Sequence, residues 1–180
     1  KTNTLPKFCK KINSIDEINN YFTANLTNKY NRVRIIGDIH GCYTALQQAI
    51  TPWDEKTLYI FCGDYLERGI ENKEMMYEMM RLSTLPNTIM LEGNHERHIA
   101  NFAFHTNLDR SKRFMKDVVA PIVKDMTKKE VESLQRELRL FYKSLRQCYP
   151  FSFHGKKYLV SHGGLSYVPN MTFIATSTFI

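Results

Sequence analysis

Apolar residues along the chain alternate between two patterns. Short runs that are almost wholly apolar are typical of β-strands covered on both faces, and they lie at residues 33–36, 58–62 and 88–91. Stretches with apolar positions at helical spacing predict helices, and these lie at residues 43–50, 71–82 and 94–104. A chain in which strands and helices alternate predicts an α/β fold, with helices packed on a sheet.

Two regions depart from this alternation. Residues 1–31 form a polar lead-in with one short predicted helix, whose apolar positions are Ile15, Ile18, Tyr21 and Phe22. Residues 109–147 predict a helical insertion, in which Thr127 and Glu130 have the spacing of a capping box ahead of an amphipathic helix. We therefore expect a lead-in at residues 1–31 and one domain at residues 32–180 that contains the insertion.

Composition sets broad limits on function. The chain has 180 residues, 43% of them hydrophobic, which fits one globular domain. Its net charge of +7 suits an anionic ligand, although dispersed basic residues are equally typical of a basic surface. No pair of the four cysteines has C-x-x-C spacing, which argues against a zinc ribbon, and reduced cysteines favour the cytoplasm. No apolar run is long enough to span a membrane, so no membrane association is expected.

Polar side chains follow each predicted strand at the point where the strand ends. The carboxyl ends of strands in an open α/β sheet meet at one edge, where ligands bind. A mixture of carboxylates and imidazoles suits a divalent transition metal. We therefore predict that four separate loops converge on one site, with a hairpin at residues 151–161 supplying the last loop. The candidate residues are Asp38, His40, Asp64, Glu67, Arg68, Asn94, His95 and His162.

Four sequence blocks carry a family resemblance. GD-x-HG, GD-x-x-x-RG, GNH-E and HGG occur in this order over residues 33–168. They resemble the calcineurin-like metallophosphoesterases, specifically the phosphoprotein-phosphatase-type branch, which includes serine/threonine phosphatases, phage phosphatases and dinucleoside tetraphosphatases. The resemblance implies a layered β-sandwich flanked by helices. It also implies a phosphoesterase in which metal-bound hydroxide attacks the phosphate ester with no phosphoenzyme.

The resemblance implies two divalent metal ions that share one carboxylate. Asp38 and His40 would hold the first ion, Asn94 and His162 the second, and Asp64 would bridge the two. The mixed nitrogen and oxygen donors favour Mn, with Fe or Zn as alternatives.

Catalytic roles follow from the same resemblance. His95 would be the general acid that protonates the leaving oxygen, and Glu67 would orient it. Arg68 would clamp the phosphate, together with Asn94 and His95.

Three departures from the family pattern bear on these implications. Glu67 stands where the family usually has Asp, and Glu92 stands where protein phosphatases often have Arg. The family has a further metal-binding His downstream of HGG, whereas no His follows His162 before the chain ends at Ile180. We therefore expect that the C-terminal part of the domain, with the last ligand, lies on another segment of the same protein.

Several functions fit the sequence. Within the enzyme hypothesis, the resemblance favours a phosphoprotein serine/threonine phosphatase, and the alternative substrates are dinucleoside polyphosphates and RNA or nucleotide phosphates. A non-catalytic binding protein, or an inactive fragment of an active parent, is the alternative class. Retention of the metal-site residues argues for the enzyme, and Glu92 with the missing last ligand argues slightly against it.

Overall fold

A parallel sheet forms the centre of the molecule. The structure, a computed structural model, describes residues 25–163. The strands β1 (Arg32–Ile36), β2 (Thr57–Phe61) and β3 (Thr88–Met90) lie side by side in the order β1-β2-β3. Ile36 pairs with Phe61, and Phe61 pairs with Met90, so all three strands end at the same level. The predicted strands are confirmed to within one residue at each end.

A helix follows each of these strands. The helices are α1 (Tyr43–Ile50), α2 (Asn72–Ser83) and α3 (Glu96–Phe104). The prediction that α3 begins at residue 94 is wrong, because Asn94 and His95 lie in the loop before it. The backbone N–H of His95 donates to the Asp64 carboxylate at 2.9 Å, which connects the start of this helix to the loop after β2.

The central strand is covered on both faces. All residues of β2 are buried. Side chains alternate along a strand, so Tyr59 and Phe61 join the larger apolar cluster formed with the helices. Leu58 and Ile60 point the other way and join a second cluster. The predicted α/β architecture with a fully buried strand is confirmed.

An antiparallel hairpin covers the second face of the sheet. It consists of β4 (Cys148–Phe153) and β5 (Lys156–Ser161). Phe151 is 1% exposed, stacks on the ring of Tyr158 with centroids 5.1 Å apart, and belongs to the cluster that contains Leu58. The end of β5 delivers His162 to the same edge of the sheet as the loops after β1, β2 and β3, where its ring contacts Cys62 and Asn94.

The predicted insertion is helical. Its pieces are a 3-10 turn (Leu108–Ser111), α4 (Lys112–Phe114), a π-helical segment (Met115–Val119), α5 (Ala120–Val123) and α6 (Lys128–Ser144). The capping box at the start of α6 is confirmed, because Thr127 and Glu130 exchange side-chain and backbone hydrogen bonds. Leu134, Leu138 and Phe141 of α6 are buried in the same cluster as α3.

Two earlier expectations concern the rest of the chain. The short helix predicted within residues 1–31 lies before the first described residue, Asn25. Among the described residues, no helix combines the length and the apolar character that crossing a membrane would require.

Replacing Phe151 tests whether the hairpin is part of the cooperative core. We expect Phe151→Ala to lower the free energy of unfolding by about 3–5 kcal/mol, because it leaves a cavity between the hairpin and β2. Urea unfolding followed by circular dichroism measures the change. Leu140→Ala, at a position 70% exposed on α6, is the control and should change stability by less than about 0.5 kcal/mol. Equal stabilities for the two variants would contradict this packing.

Candidate metal centre

His40 presents an unpartnered nitrogen to two carboxylates. Its Nδ1 lies 3.0 Å from the backbone carbonyl oxygen of Leu66, to which it donates. Its Nε2 is buried and has no hydrogen-bond partner among the described residues. This nitrogen lies 3.6 Å from Oδ2 of Asp64 and 3.7 Å from Oδ2 of Asp38. In metal-binding histidines, one ring nitrogen commonly donates to a carbonyl and the other presents its lone pair to the metal. The ring of His40 is oriented in this way, with the lone pair of Nε2 facing carboxylates.

His162 approaches Asp64 from the other side. Its Nε2 lies 3.6 Å from Oδ1 of Asp64 and 3.0 Å from Oδ1 of Asn94. Its Nδ1 lies 2.9 Å from the carbonyl oxygen of Cys62 and 3.8 Å from Oδ1 of Asp38. Two bonds of about 2.1 Å to one ion can span such separations.

Asp64 therefore lies between two groups of donors. Ligand atoms of Asp64, His40 and His95 form one group, and those of Asp64, Asp38 and His162 form the other. Within each group all of these atoms lie within 4.8 Å of one another. The side chain of Asp64 is 3% exposed, so its charge is poorly screened by water. The arrangement can hold cations on both sides of one carboxylate.

Glu96 holds the loop of Asp64 in place. It is fully buried, and its Oε2 accepts hydrogen bonds from the backbone N–H groups of Asp64 at 2.9 Å and Gly93 at 2.6 Å. Its Oε1 accepts from the N–H of Tyr65 at 3.1 Å. Burial raises the pKa of Glu96, whereas the three N–H donors, which its two oxygens accept together, stabilise the ionised form. One side chain thus joins the loops that follow β2 and β3.

Sequence reasoning gave Glu96 no role. The available signal was an acidic residue directly after Asn94 and His95, at the start of a predicted helix. That position equally suits an ordinary first-turn carboxylate interacting with the helix dipole. Its contact with the loop of Asp64 exists only in the folded protein.

The backbone of the site is strained. L-residues with a positive φ are uncommon and each costs of order 1–3 kcal/mol. Here His40 has a φ of 47°, Asp64 of 53°, Glu67 of 73° and Arg68 of 65°. The loops after β2 and β3 are also closely packed, since a Cβ on Gly93 would lie 2.3 Å from Oδ1 of Asp64. Such strain persists only where surrounding contacts fix the loops, and it is concentrated at functional sites.

His95 is paired with Glu67. Its Nδ1 lies 2.5 Å from Oε2 of Glu67, so the longer side chain reaches the ring despite standing where the family usually has Asp. Its Nε2 lies 3.2 Å from Nη2 of Arg68 and 3.8 Å from Oδ2 of Asp64. Asn72 fixes this loop by accepting from the N–H of Glu67 at 2.8 Å.

Glu92 is bound to the insertion. The hydroxyl of Tyr142 on α6 donates to Oε1 of Glu92 at 2.6 Å. Burial, together with the neighbouring Glu92 charge, raises the pKa of Tyr142. Where protein phosphatases often have an Arg, this chain therefore has an acid that anchors a helix.

The structure brings every predicted site residue to one edge of the sheet. These residues are Asp38, His40, Asp64, Glu67, Arg68, Asn94, His95 and His162. His105 lies elsewhere, with its Nε2 3.1 Å from Oε1 of Gln135. His98, one turn after His95, was expected to have a structural or surface role, and the structure places it in a group with Glu67 and His95.

Glu96→Gln tests whether this buried carboxylate holds the site together. We expect a loss of about 3 kcal/mol in unfolding free energy, because the new amide NH₂ faces backbone N–H groups that then lack an acceptor. Chemical denaturation measures it, with Glu74→Gln on the exposed face of α2 as the matched control. A Glu96→Gln variant as stable as the control would show that the carboxylate is dispensable for the fold.

Comparison with known proteins gives several partial matches. Serine/threonine-protein phosphatase 2 of Salmonella typhimurium is 38% identical over 80 residues, which are 43% of this chain and 34% of that protein. The symmetrical bis(5'-nucleosyl)-tetraphosphatase of Baumannia cicadellinicola is 32% identical over 136 residues, 73% of this chain and 41% of that protein. A solved Saccharomyces cerevisiae serine/threonine phosphatase with similarity to human phosphatase PP5 matches with a TM-score of 0.46 and 20% identity, over 84% of this chain and 46% of that one.

The family assignment comes from a longer match. The chain spans less than half the length of the curated relatives that it matches. The family model for calcineurin-like phosphoesterases, however, matches residues 31–179, which include every loop described above. The chain therefore belongs to the calcineurin-like phosphoesterase family.

Proposed function

We propose that the protein is a phosphoesterase that uses two divalent metal ions. Asp38, His40 and Asp64 would hold one ion, and Asp64, Asn94 and His162 the other. The observation that carries this proposal is the buried Nε2 of His40, which has no partner among the described residues and faces two carboxylates at 3.6 and 3.7 Å. Nitrogen and oxygen donors favour Mn, with Fe or Zn as alternatives.

The surroundings of His162 independently support a cation. Both of its ring nitrogens face acceptor oxygens, Nδ1 the carbonyl of Cys62 and Nε2 the Oδ1 of Asn94. The carbonyl oxygen of Cys62 can only accept, so Nδ1 carries the proton of the neutral ring and Nε2 presents its lone pair to Asn94 and, at 3.6 Å, to Oδ1 of Asp64. A nitrogen and two side-chain oxygens grouped in this way suit one cation.

When bound, the metal pair supplies a Lewis acid that polarises the phosphoryl group and lowers the pKa of the attacking water. The protein's own residues bind the substrate and handle the proton. The guanidinium of Arg68 is exposed next to His95, and its planar fork suits two phosphate oxygens, with Asn94 and His95 completing the phosphate site. Glu67 holds Nδ1 of His95, which orients Nε2 to protonate the leaving oxygen.

We further propose that residues 32–180 belong to one cytoplasmic phosphoesterase domain, with its helical insertion at about residues 109–147 and its C-terminal part on another segment of the protein. The match to serine/threonine-protein phosphatase 2 supports phosphoproteins as substrates. The match to the tetraphosphatase and the use of Glu92 as an anchor for Tyr142, in place of a phosphate-clamping Arg, support dinucleoside polyphosphates or other nucleotide and RNA phosphates.

Asp64→Asn tests the metal site. In the full-length protein we expect it to reduce bound Mn from two ions per chain to fewer than one, because an amide lacks the charge to bridge two cations, and to abolish hydrolysis of p-nitrophenyl phosphate. Mass spectrometry of the purified protein measures the metal content. His95→Ala is the comparison: it should slow turnover of phenyl phosphate, whose leaving oxygen needs a proton, about 100-fold or more while both ions stay bound.

A different pattern would contradict these roles. A wild-type protein that binds no metal would support the non-catalytic binding hypothesis. Full turnover of phenyl phosphate by the His95→Ala variant would exclude His95 as the general acid.

A substrate panel separates the proposed classes. With Mn supplied, we compare kcat/KM for a phosphoserine peptide, a dinucleoside tetraphosphate and a 5'-triphosphorylated RNA. Because Glu92 adds negative charge where an Arg clamp is usual, we expect Glu92→Gln to change the ratio of these values more than it changes the rate with p-nitrophenyl phosphate. A constant ratio would mean that Glu92 plays no part in substrate choice.

A further inference from the structure

The ring of His98 is held in one orientation. Its Nδ1 lies 2.8 Å from Oγ of Ser111, and this hydroxyl also accepts from Nδ2 of Asn101 at 2.8 Å. One face of the ring stacks on Phe114, with centroids 5.8 Å apart and planes 22° from parallel. Ser111 and Phe114 are 2% and 1% exposed, and both belong to the insertion. A histidine on a solvated helix face would bind water, whereas the ring of His98 is fixed by buried groups of the insertion.

The other side of this ring faces the catalytic pair. The rings of His95 and His98 have centroids 6.1 Å apart. A nitrogen of His98 lies within 4.8 Å of both a carboxylate oxygen of Glu67 and a nitrogen of His95. The ring of His98 therefore lies beside both members of the pair.

The carboxylate of Glu67 is largely buried, so contacts with protein groups matter more to it than to an acid on the surface. Its side chain is 14% exposed, and within the described part of the chain His95 is the side chain that binds its carboxylate. A carboxylate has room for about four hydrogen bonds and loses stability when desolvated without them. Both nitrogens of His98 have partners, because Nε of Arg97 donates to Nε2 at 3.4 Å. Burial lowers the pKa of His98, so the ring is a neutral polar neighbour that restricts the space open to the Glu67 carboxylate.

We propose that His98 is a positioning residue for proton donation, acting on His95 through Glu67. His98 limits the movement of the Glu67 carboxylate, which in turn fixes the direction of Nε2 on His95. Ser111 holds His98, so the insertion supports the catalytic pair. This inference rests on the proposed function, because it concerns how the proposed general acid is aligned.

Leaving-group dependence distinguishes this role from a structural one. A dinitrophenolate leaves without help from an acid, whereas a phenolate needs the proton from His95. In the Mn-loaded full-length protein we expect His98→Phe to lower kcat about tenfold with phenyl phosphate and less than about twofold with 2,4-dinitrophenyl phosphate. KM and metal content should stay unchanged. His98→Gln, which keeps a polar group beside Glu67, should recover most of the loss.

Two further variants complete the test. Ser111→Ala should show the same selective loss on a smaller scale, which keeps the inference testable if His98→Phe does not fold. His105→Gln is the matched control at the end of the same helix, bound to Gln135 and outside the Glu67 group. Its ratio of the two rates should equal that of the wild type.

The outcomes separate the two claims. A His98→Phe variant that loses both rates equally, or neither, would overturn the positioning role while leaving the proposed function intact. A metal-loaded wild type inactive on both esters would overturn the proposed function, and this inference with it.

Discussion

A buried carboxylate joins the two loops that build this site. Glu96 is fully buried, yet it accepts hydrogen bonds from three backbone N–H groups that belong to the loops after β2 and β3. Removing a charged group from water is unfavourable by several kcal/mol unless such partners replace the water. The three donors do so, and they fix Asp64 relative to Gly93 in a space too narrow for a Cβ on that glycine. The other ligands take their positions around the Asp64 carboxylate.

The hydrogen bonds of Glu96 explain how the fold keeps loops with a strained backbone and two carboxylates that repel each other. Positive φ angles at His40, Asp64, Glu67 and Arg68 turn their side chains toward one point. The carboxylates of Asp38 and Asp64 both lie within 3.7 Å of Nε2 on His40, so an ion that binds them offsets their mutual repulsion. Metal binding to the folded state would also stabilise the fold by mass action. The insertion adds two hydrogen bonds around the site, one from Tyr142 to Glu92 and one between Ser111 and His98.

The sequence predicts the strands and the loops that carry chemistry, because each apolar run ends in a polar block. The residues that only tertiary contacts bring together are harder to predict. Asp64 and Glu96 are 32 positions apart, and nothing in their local sequences indicates a hydrogen bond between them. His98 lies one turn after His95, and its partners Ser111 and Phe114 come from an insertion whose irregular, partly π-helical path has no sequence signature.

In the proposed site, Asp64 lies between two cations. Anomalous diffraction from crystals of the protein grown with Mn²⁺ tests it directly, because each bound ion gives its own peak. The account predicts two peaks about 3.5–4 Å apart on opposite sides of the Asp64 carboxylate, one next to His40 and one next to His162. Peaks that are absent from this position, or a single ion that Asp64 does not contact, would contradict it.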